Sequence, residues 1–207
     1  PMAGCVPLSV NFSQVGTHVS FQSWNFGDGN LSALANPQHT FTQVGSYTVG
    51  HFVENINGCR DSSFQIITVY PLPVANFSLT STDPCFAPVT VNTNNISTGS
   101  INFQWDFGNG ITSNLTNETV VFANPGTYNV SLTATSIHGC TNTLVVPFTV
   151  YPRPVAVFTV SSQTICEGQS VIFSSQSTFA DSLVWDMGDG TILIGNSVVY
   201  TYPTAGN

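Results

Sequence analysis

One feature constrains this chain more than any other: it repeats itself about every 80 residues. Trp24, Trp105 and Trp185 stand 81 and 80 positions apart, Cys5, Cys85 and Cys166 stand 80 and 81 apart, and Cys59 and Cys140 stand 81 apart. Tyr70-Pro71-Leu72-Pro73-Val74-Ala75 returns as Tyr151-Pro152-Arg153-Pro154-Val155-Ala156. Solenoid repeats run roughly 20–50 residues and lean on their neighbours; a longer period fits a string of small domains, each with its own core. The 207 residues then divide into repeats at 1–70, 74–151 and 155–207. On this alignment the first repeat lacks most of its first strand and the third stops before its last two. That pattern is expected of a window cut from a longer array.

Within a repeat the pattern is that of strands. In the second, 74–80, 89–93, 101–107, 119–122, 127–135 and 143–150 are short runs rich in Val, Ile, Thr and aromatic residues. Along Tyr128–Ala134, Tyr128, Val130, Leu132 and Ala134 share one face and polar residues the other, which is the period of a half-buried strand. Gly-Asn-Gly, Asn-Pro-Gly and His-Gly turns punctuate the runs. Short strands, regular turns and about 80 residues predict an all-β fold of tandem immunoglobulin-like sandwiches.

Composition narrows the partners. Lys plus Arg number 2 against 10 Asp plus Glu, so the net charge is −8 and there is no basic surface for nucleic acid or anionic lipid. No apolar run reaches the roughly 20 residues of a membrane-spanning helix, so no membrane insertion is expected. Charged residues are only 6% of the chain, against about 25% in ordinary globular proteins. Ser, Thr, Asn and Gln together make up 76 residues, so the surface must be polar but mostly uncharged. Edge strands without lysines have little to discourage lateral pairing, and association of copies into a filament is expected.

Each tryptophan opens a glycine-rich turn: Trp24-Asn25-Phe26-Gly27-Asp28-Gly29, Trp105-Asp106-Phe107-Gly108-Asn109-Gly110 and Trp185-Asp186-Met187-Gly188-Asp189-Gly190. In the first repeat Asn36-Pro37-Gln38-His39-Thr40-Phe41 and Gly45-Ser46-Tyr47-Thr48-Val49 follow; in the second Val120 stands where His39 stands, and in the third Tyr200 does. Together these motifs resemble the PKD domain, a seven-stranded β-sandwich, over essentially the whole chain. The Gly-Cys before the last strand and the Pro-x-Pro-x-Ala joints are similar to tandem PKD repeats in large secreted surface proteins of Bacteroidota, among them gliding-associated adhesins exported by type IX secretion. The resemblance implies an extracellular or cell-surface location.

Asp28, Asp186 and Asp189 beside their glycines offer hard oxygen ligands, the chemistry of a calcium site. Six to eight oxygens are wanted there, and each repeat supplies one or two carboxylates, so the same side chains read more simply as caps of a tight hairpin. No cofactor is expected beyond that calcium candidate. His39 reads as structural, since its slot also accepts Val120 and Tyr200. No nucleophile–base–orienter set and no Gly-x-Ser-x-Gly or His-Glu-x-x-His motif appears, so the chain is expected not to be an enzyme.

Five cysteines at regular spacing, without a Cys-x-x-Cys or companion His, argue for disulfides in an oxidising compartment rather than zinc. Cys5 and Cys59 are 54 apart and Cys85 and Cys140 are 55 apart. The expectation is therefore Cys5–Cys59 and Cys85–Cys140, with Cys166 bonded to a partner outside the chain, and each tryptophan packed in the core against its bridge. The Pro-rich joints are short and stiff, so the repeats should form a semi-rigid rod. The leading expectation is a stalk or filament segment of a giant surface protein or adhesin, with neighbouring repeats as its partners. The alternatives are a module that binds carbohydrate or another surface, polysaccharide being the ligand class, and accessory domains of a secreted hydrolase.

Overall fold

The computed structural model describes residues 2–81, 83–85 and 87–204. Nineteen strands and no helix occur among them. The first repeat holds β1 (Ala3–Cys5), β2 (Leu8–Asn11), β3 (Phe21–Asn25), β4 (Leu31–Ser32), β5 (Gln38–Phe41), β6 (Gly45–Glu54) and β7 (Arg60–Tyr70). The second holds β8 (Phe77–Ser81), β9 (Val89–Asn95), β10 (Asn102–Asp106), β11 (Thr112–Ser113), β12 (Thr119–Phe122), β13 (Gly126–Thr135) and β14 (Thr141–Val150). The third holds β15 (Phe158–Val160), β16 (Ser170–Ser175), β17 (Val184–Asp186), β18 (Ile192–Ile194) and β19 (Ser197–Thr201). The all-β, immunoglobulin-like expectation is met, and the predicted runs of the second repeat fall on strands. The two-residue β11 was not anticipated.

In the first repeat a five-stranded sheet in the order β1-β7-β6-β3-β4 faces the two-stranded pair β2-β5. Leu8, Val10 and Phe41 from the small sheet and Trp24, Val49, Ile67 and Val69 from the large one, with Phe26, bury into one cluster. The second repeat has sheets β12-β9-β8 and β11-β10-β13-β14. Its alternation is the cause of its core: along β9, Val89, Val91 and Thr93 are buried while Thr90 and Asn92 are exposed. Along β13, Val130, Leu132 and Ala134 are fully buried. Contacts divide the chain into two units: Pro1–Thr80 with Val91–Val120 and Tyr128–Phe148, and Ser81–Thr90 with Val121–Thr127 and Thr149–Asn207.

The disulfide pairing departs from expectation. Cys5 is bonded to Cys140, 135 residues away, and Cys59, Cys85 and Cys166 are free and exposed. Strand length explains why Cys5 cannot reach Cys59. β1 runs parallel to β7 with Cys5 opposite Tyr70, the last residue of that strand, whereas Cys59 precedes its first. An 11-residue strand at ~3.3 Å per residue puts roughly 35 Å between those ends. A disulfide tolerates a Cα–Cα distance of only about 4–7 Å, and the observed pair stands at 5.5 Å. The Cys85–Cys140 expectation fails with it, since Cys140 is already bonded. The partner expected for Cys166 lies outside the described residues.

Candidate functional site

The glycine turn that offered calcium ligands is built the same way three times. Phe26 N–H donates to the Asn30 carbonyl (3.1 Å), Phe107 to Ile111 (3.1 Å) and Met187 to Thr191 (3.1 Å), each closing a tight hairpin. Side chains hold the loop from within. The Asn25 Oδ1 accepts from Gly27 N–H, the Asp106 Oδ1 from Gly108, and the Asp186 Oδ1 from Gly188, each at 2.9 Å. The Oδ1 of Asp28, Asn109 and Asp189 accepts from the N–H two residues on, at 3.0–3.1 Å.

The second carboxylate oxygen is engaged as well. His39 Nε2 lies 2.7 Å from Asp28 Oδ2, and the Tyr200 hydroxyl donates to Asp189 Oδ2 at 2.6 Å. Where the turn carries Asn109 instead, the facing slot holds the buried Val120. The slot therefore tracks the turn: where the turn carries an acid the slot holds a polar ring bonded to it, and where it carries an amide the slot residue is apolar. His39 is the structural residue expected, its ring stacked on Phe26 at 4.0 Å and edge-on to Phe41 at 4.7 Å. Among the described residues no three His, Cys, Asp or Glu side chains converge on one point.

Burial pushes the Asp28 carboxyl up, but the hydrogen bonds from His39 and Asn30 and the His39 charge outweigh it, and its pKa is lowered. A lowered folded-state value means that Asp28 stabilises the fold above its unfolded value near 3.8 and that this contribution disappears as pH falls through the folded value. An Asp28→Asn variant is therefore expected to melt below the parent at neutral pH. The gap should narrow as the pH falls below that unfolded value; thermal scans from neutral to acid pH check it.

Two glycines per turn sit in the left-handed region, and they are not equivalent. Gly27 has φ +80 and a Cβ there would meet the Thr48 carbonyl oxygen at 2.7 Å; Gly29 has φ +93 with open space around it. Gly29→Ala should cost about 1–2 kcal/mol for the backbone conformation alone. Gly27→Ala should cost that plus a clash with backbone that cannot move aside, so its denaturation midpoint must fall further.

Trp24 and Trp105 are core residues, as expected, while Trp185 is half-buried, and the one disulfide among the described residues lies at Cys5–Cys140 rather than within a repeat. Aromatic rings surround the tryptophans: Phe12 and His51 around Trp24, Phe77 and Phe107 around Trp105, Phe158 and Phe173 around Trp185. Every indole N–H donates to the carbonyl ten residues on, Leu34, Leu115 or Gly195, at 2.8–3.0 Å. A sugar platform would require exposed aromatics at the same place in every repeat. Phe21, Phe52 and Phe64 are exposed on the first repeat, but Asn102, Thr133 and Val145 stand 81 residues later.

The feature sequence reasoning missed is the joint between the first and second repeats. Besides the Cys5–Cys140 bridge, the Tyr70 ring stacks on His138 at 3.6 Å with the planes 5° apart. The Asn142 amide donates to the Pro73 carbonyl at 3.0 Å, and Pro73 is fully buried. The Gly-Cys turn thus grips the end of β7, and the start of β14 grips the linker behind it.

Comparison with known proteins agrees with this construction. The family model described as PKD domain matches residues 3–70, 68–150 and 151–207. Collagenase ColA of Bacillus cereus is 35% identical over 74 residues, covering 33% of this chain and 8% of that protein. The pre-pro-metalloprotease PrtV of Vibrio cholerae is 31% identical over 140 residues, 65% of this chain and 15% of that protein. The chain thus spans a small part of the relatives it matches. Among solved structures, the PKD1 domain of Vibrio anguillarum Epp is 36% identical with a TM-score of 0.34, covering 38% of this chain and 93% of that one. These relatives come from Bacillus and Vibrio rather than Bacteroidota. With all three repeats matched, the chain belongs to the PKD domain family.

Proposed function

We propose that this chain is a structural segment of the stalk or filament of a large extracellular protein, its repeats serving as spacers rather than as catalysts. The observation that carries the reading is the joint just described: a disulfide, a ring stack and a buried proline hold the first two repeats together. Such a joint suits a part that transmits force or keeps two ends apart. A surface of Ser, Thr, Asn and Gln with two cations in the whole chain suits lateral packing of copies. Export by a type IX route and a gliding role rest on the resemblance of the joints to Bacteroidota repeats, and calcium at the Asp-Gly turns on the turn chemistry alone.

Small-angle scattering tests the rod. A compact 207-residue globule would have a radius of gyration of ~17 Å, and a value well above that is expected. A value near it overturns the reading. The second reading, spacer domains beside a catalytic domain, is favoured by the named relatives, a collagenase and a metalloprotease. A hydrolase domain in the same polypeptide would decide for it, and dozens of further repeats would decide for the stalk.

A further inference from the structure

We propose that the Cys5–Cys140 bridge is one rung of a repeating ladder. In it the first cysteine of each repeat is bonded to the Gly-Cys turn of the next repeat, and Cys59, Cys85 and Cys166 are halves of neighbouring rungs. Both halves of the observed rung recur in this chain, the turn half with the same hydrogen bonds and the other half beside the equivalent tyrosine.

The turn half is Ser136-Ile137-His138-Gly139-Cys140. Ser136 N–H donates to the Cys140 carbonyl (2.8 Å), Gly139 N–H to the Ser136 carbonyl (3.0 Å), and Cys140 N–H to the Ser136 hydroxyl (3.1 Å). Asn55-Ile56-Asn57-Gly58-Cys59 repeats this bond for bond. Asn55 N–H donates to the Cys59 carbonyl (3.0 Å), Gly58 N–H to the Asn55 carbonyl (3.0 Å), and Cys59 N–H to Asn55 Oδ1 (3.0 Å). Gly58 and Gly139 share φ +77. The turn therefore holds Cys59 as it holds Cys140, with Cys59 exposed where Cys140 is buried in the joint.

The strand half is Cys5 beside Tyr70. In the second repeat Tyr151 N–H donates to the Pro84 carbonyl (2.9 Å), which brings Cys85, here on a turn rather than a strand, near Tyr151. Tyr70 is covered by His138, and Pro73 is fully buried. Tyr151 is 54% exposed and Pro154 is exposed, so the second repeat presents the same surface that the first buries in its joint.

A separation of 135 residues carries Cys85 to about position 220, where the period puts the third repeat's Gly-Cys turn. The same step carries Cys166 into the turn of the repeat after that, and Cys59 back to the first cysteine of the repeat before the first. Each rung forms when two thiols give up two protons and two electrons to a disulfide-bearing oxidant of the export compartment, which departs as a dithiol. Successive repeats are then attached at two points, peptide and disulfide, and a hinge becomes a fixed joint. The ladder stands whether the array is a stalk or a spacer.

Peptide mapping tests it on the protein that carries this chain, isolated without reductant, its free thiols blocked with iodoacetamide before digestion. Expected are Cys5 linked to Cys140, Cys85 linked to a cysteine that follows a glycine 135 residues on, and Cys59 linked to a cysteine the same distance back. Carbamidomethyl on Cys85 or Cys59 overturns the ladder, as does any link of Cys5 to Cys59 or of Cys85 to Cys140. In the 207-residue chain alone, Cys59, Cys85 and Cys166 should be blocked without reduction and Cys5 and Cys140 only after it. A Cys5→Ser variant should make Cys140 reactive while the far-ultraviolet circular dichroism stays that of the parent. An unreactive Cys140 in that folded variant counts against the proposal.

Discussion

Trp105→Ala is expected to remove the second repeat from the folded population in mild urea. The side chain has no exposed surface, so truncation leaves a large cavity, and deletions of this kind cost about 3–5 kcal/mol. It also strips the Leu115 carbonyl of its indole donor, which adds the penalty of an unpaired polar group. A domain of about 80 residues has roughly 4–12 kcal/mol to lose, so the loss is a large share of the total. Trp185→Ala, at a half-buried position, should cost less. Urea titration followed by circular dichroism reads both; a Trp105→Ala midpoint within error of the parent would mean that the indole is not the centre of its repeat.

What the sequence made legible was the part governed by local period and local chemistry. The alternation along Tyr128–Ala134 predicts β13 because a strand with one dry face has no other way to arrange those side chains. The Asp/Asn-Gly turns predict themselves because their side chains satisfy the N–H groups two residues away. The pairing of Asp28 with His39, and of Asp189 with Tyr200, left a readable trace: where Asp becomes Asn109, the ring becomes Val120.

The cysteines show where such reading stops. A constant spacing of 54 or 55 within a repeat and a constant spacing of 135 across two repeats are the same periodicity seen twice. Period alone cannot choose between them. The choice is made by the 11 residues of β7, which carry Cys59 and Tyr70 to opposite ends of one strand. The same non-locality hid the stack of Tyr70 on His138: Tyr70 recurs as Tyr151, but Asn57 stands in the first repeat where His138 stands in the second.

Because the bridge joins repeats instead of stapling one, losing it should have an unusual signature. In the chain-entropy model, closing a loop of 135 residues restricts the unfolded chain by about 5 kcal/mol. A unit of 150–250 residues shifts its melting point by roughly 2–4 °C per kcal/mol. Cys5→Ser and Cys140→Ser are therefore each expected to lower the melting of the first two repeats by about 10–20 °C. The double variant should fall no further than either single one, since both remove the same constraint. Below the transition the strand signal should persist, because the first two repeats each keep their own buried residues. Cys59→Ser supplies the contrast. A bridge within the first repeat would make it as damaging as Cys5→Ser, whereas an exposed free thiol makes it silent in this chain. Calorimetry of the four variants side by side separates the two cases, and equal losses for Cys5→Ser and Cys59→Ser would refute a bridge between repeats.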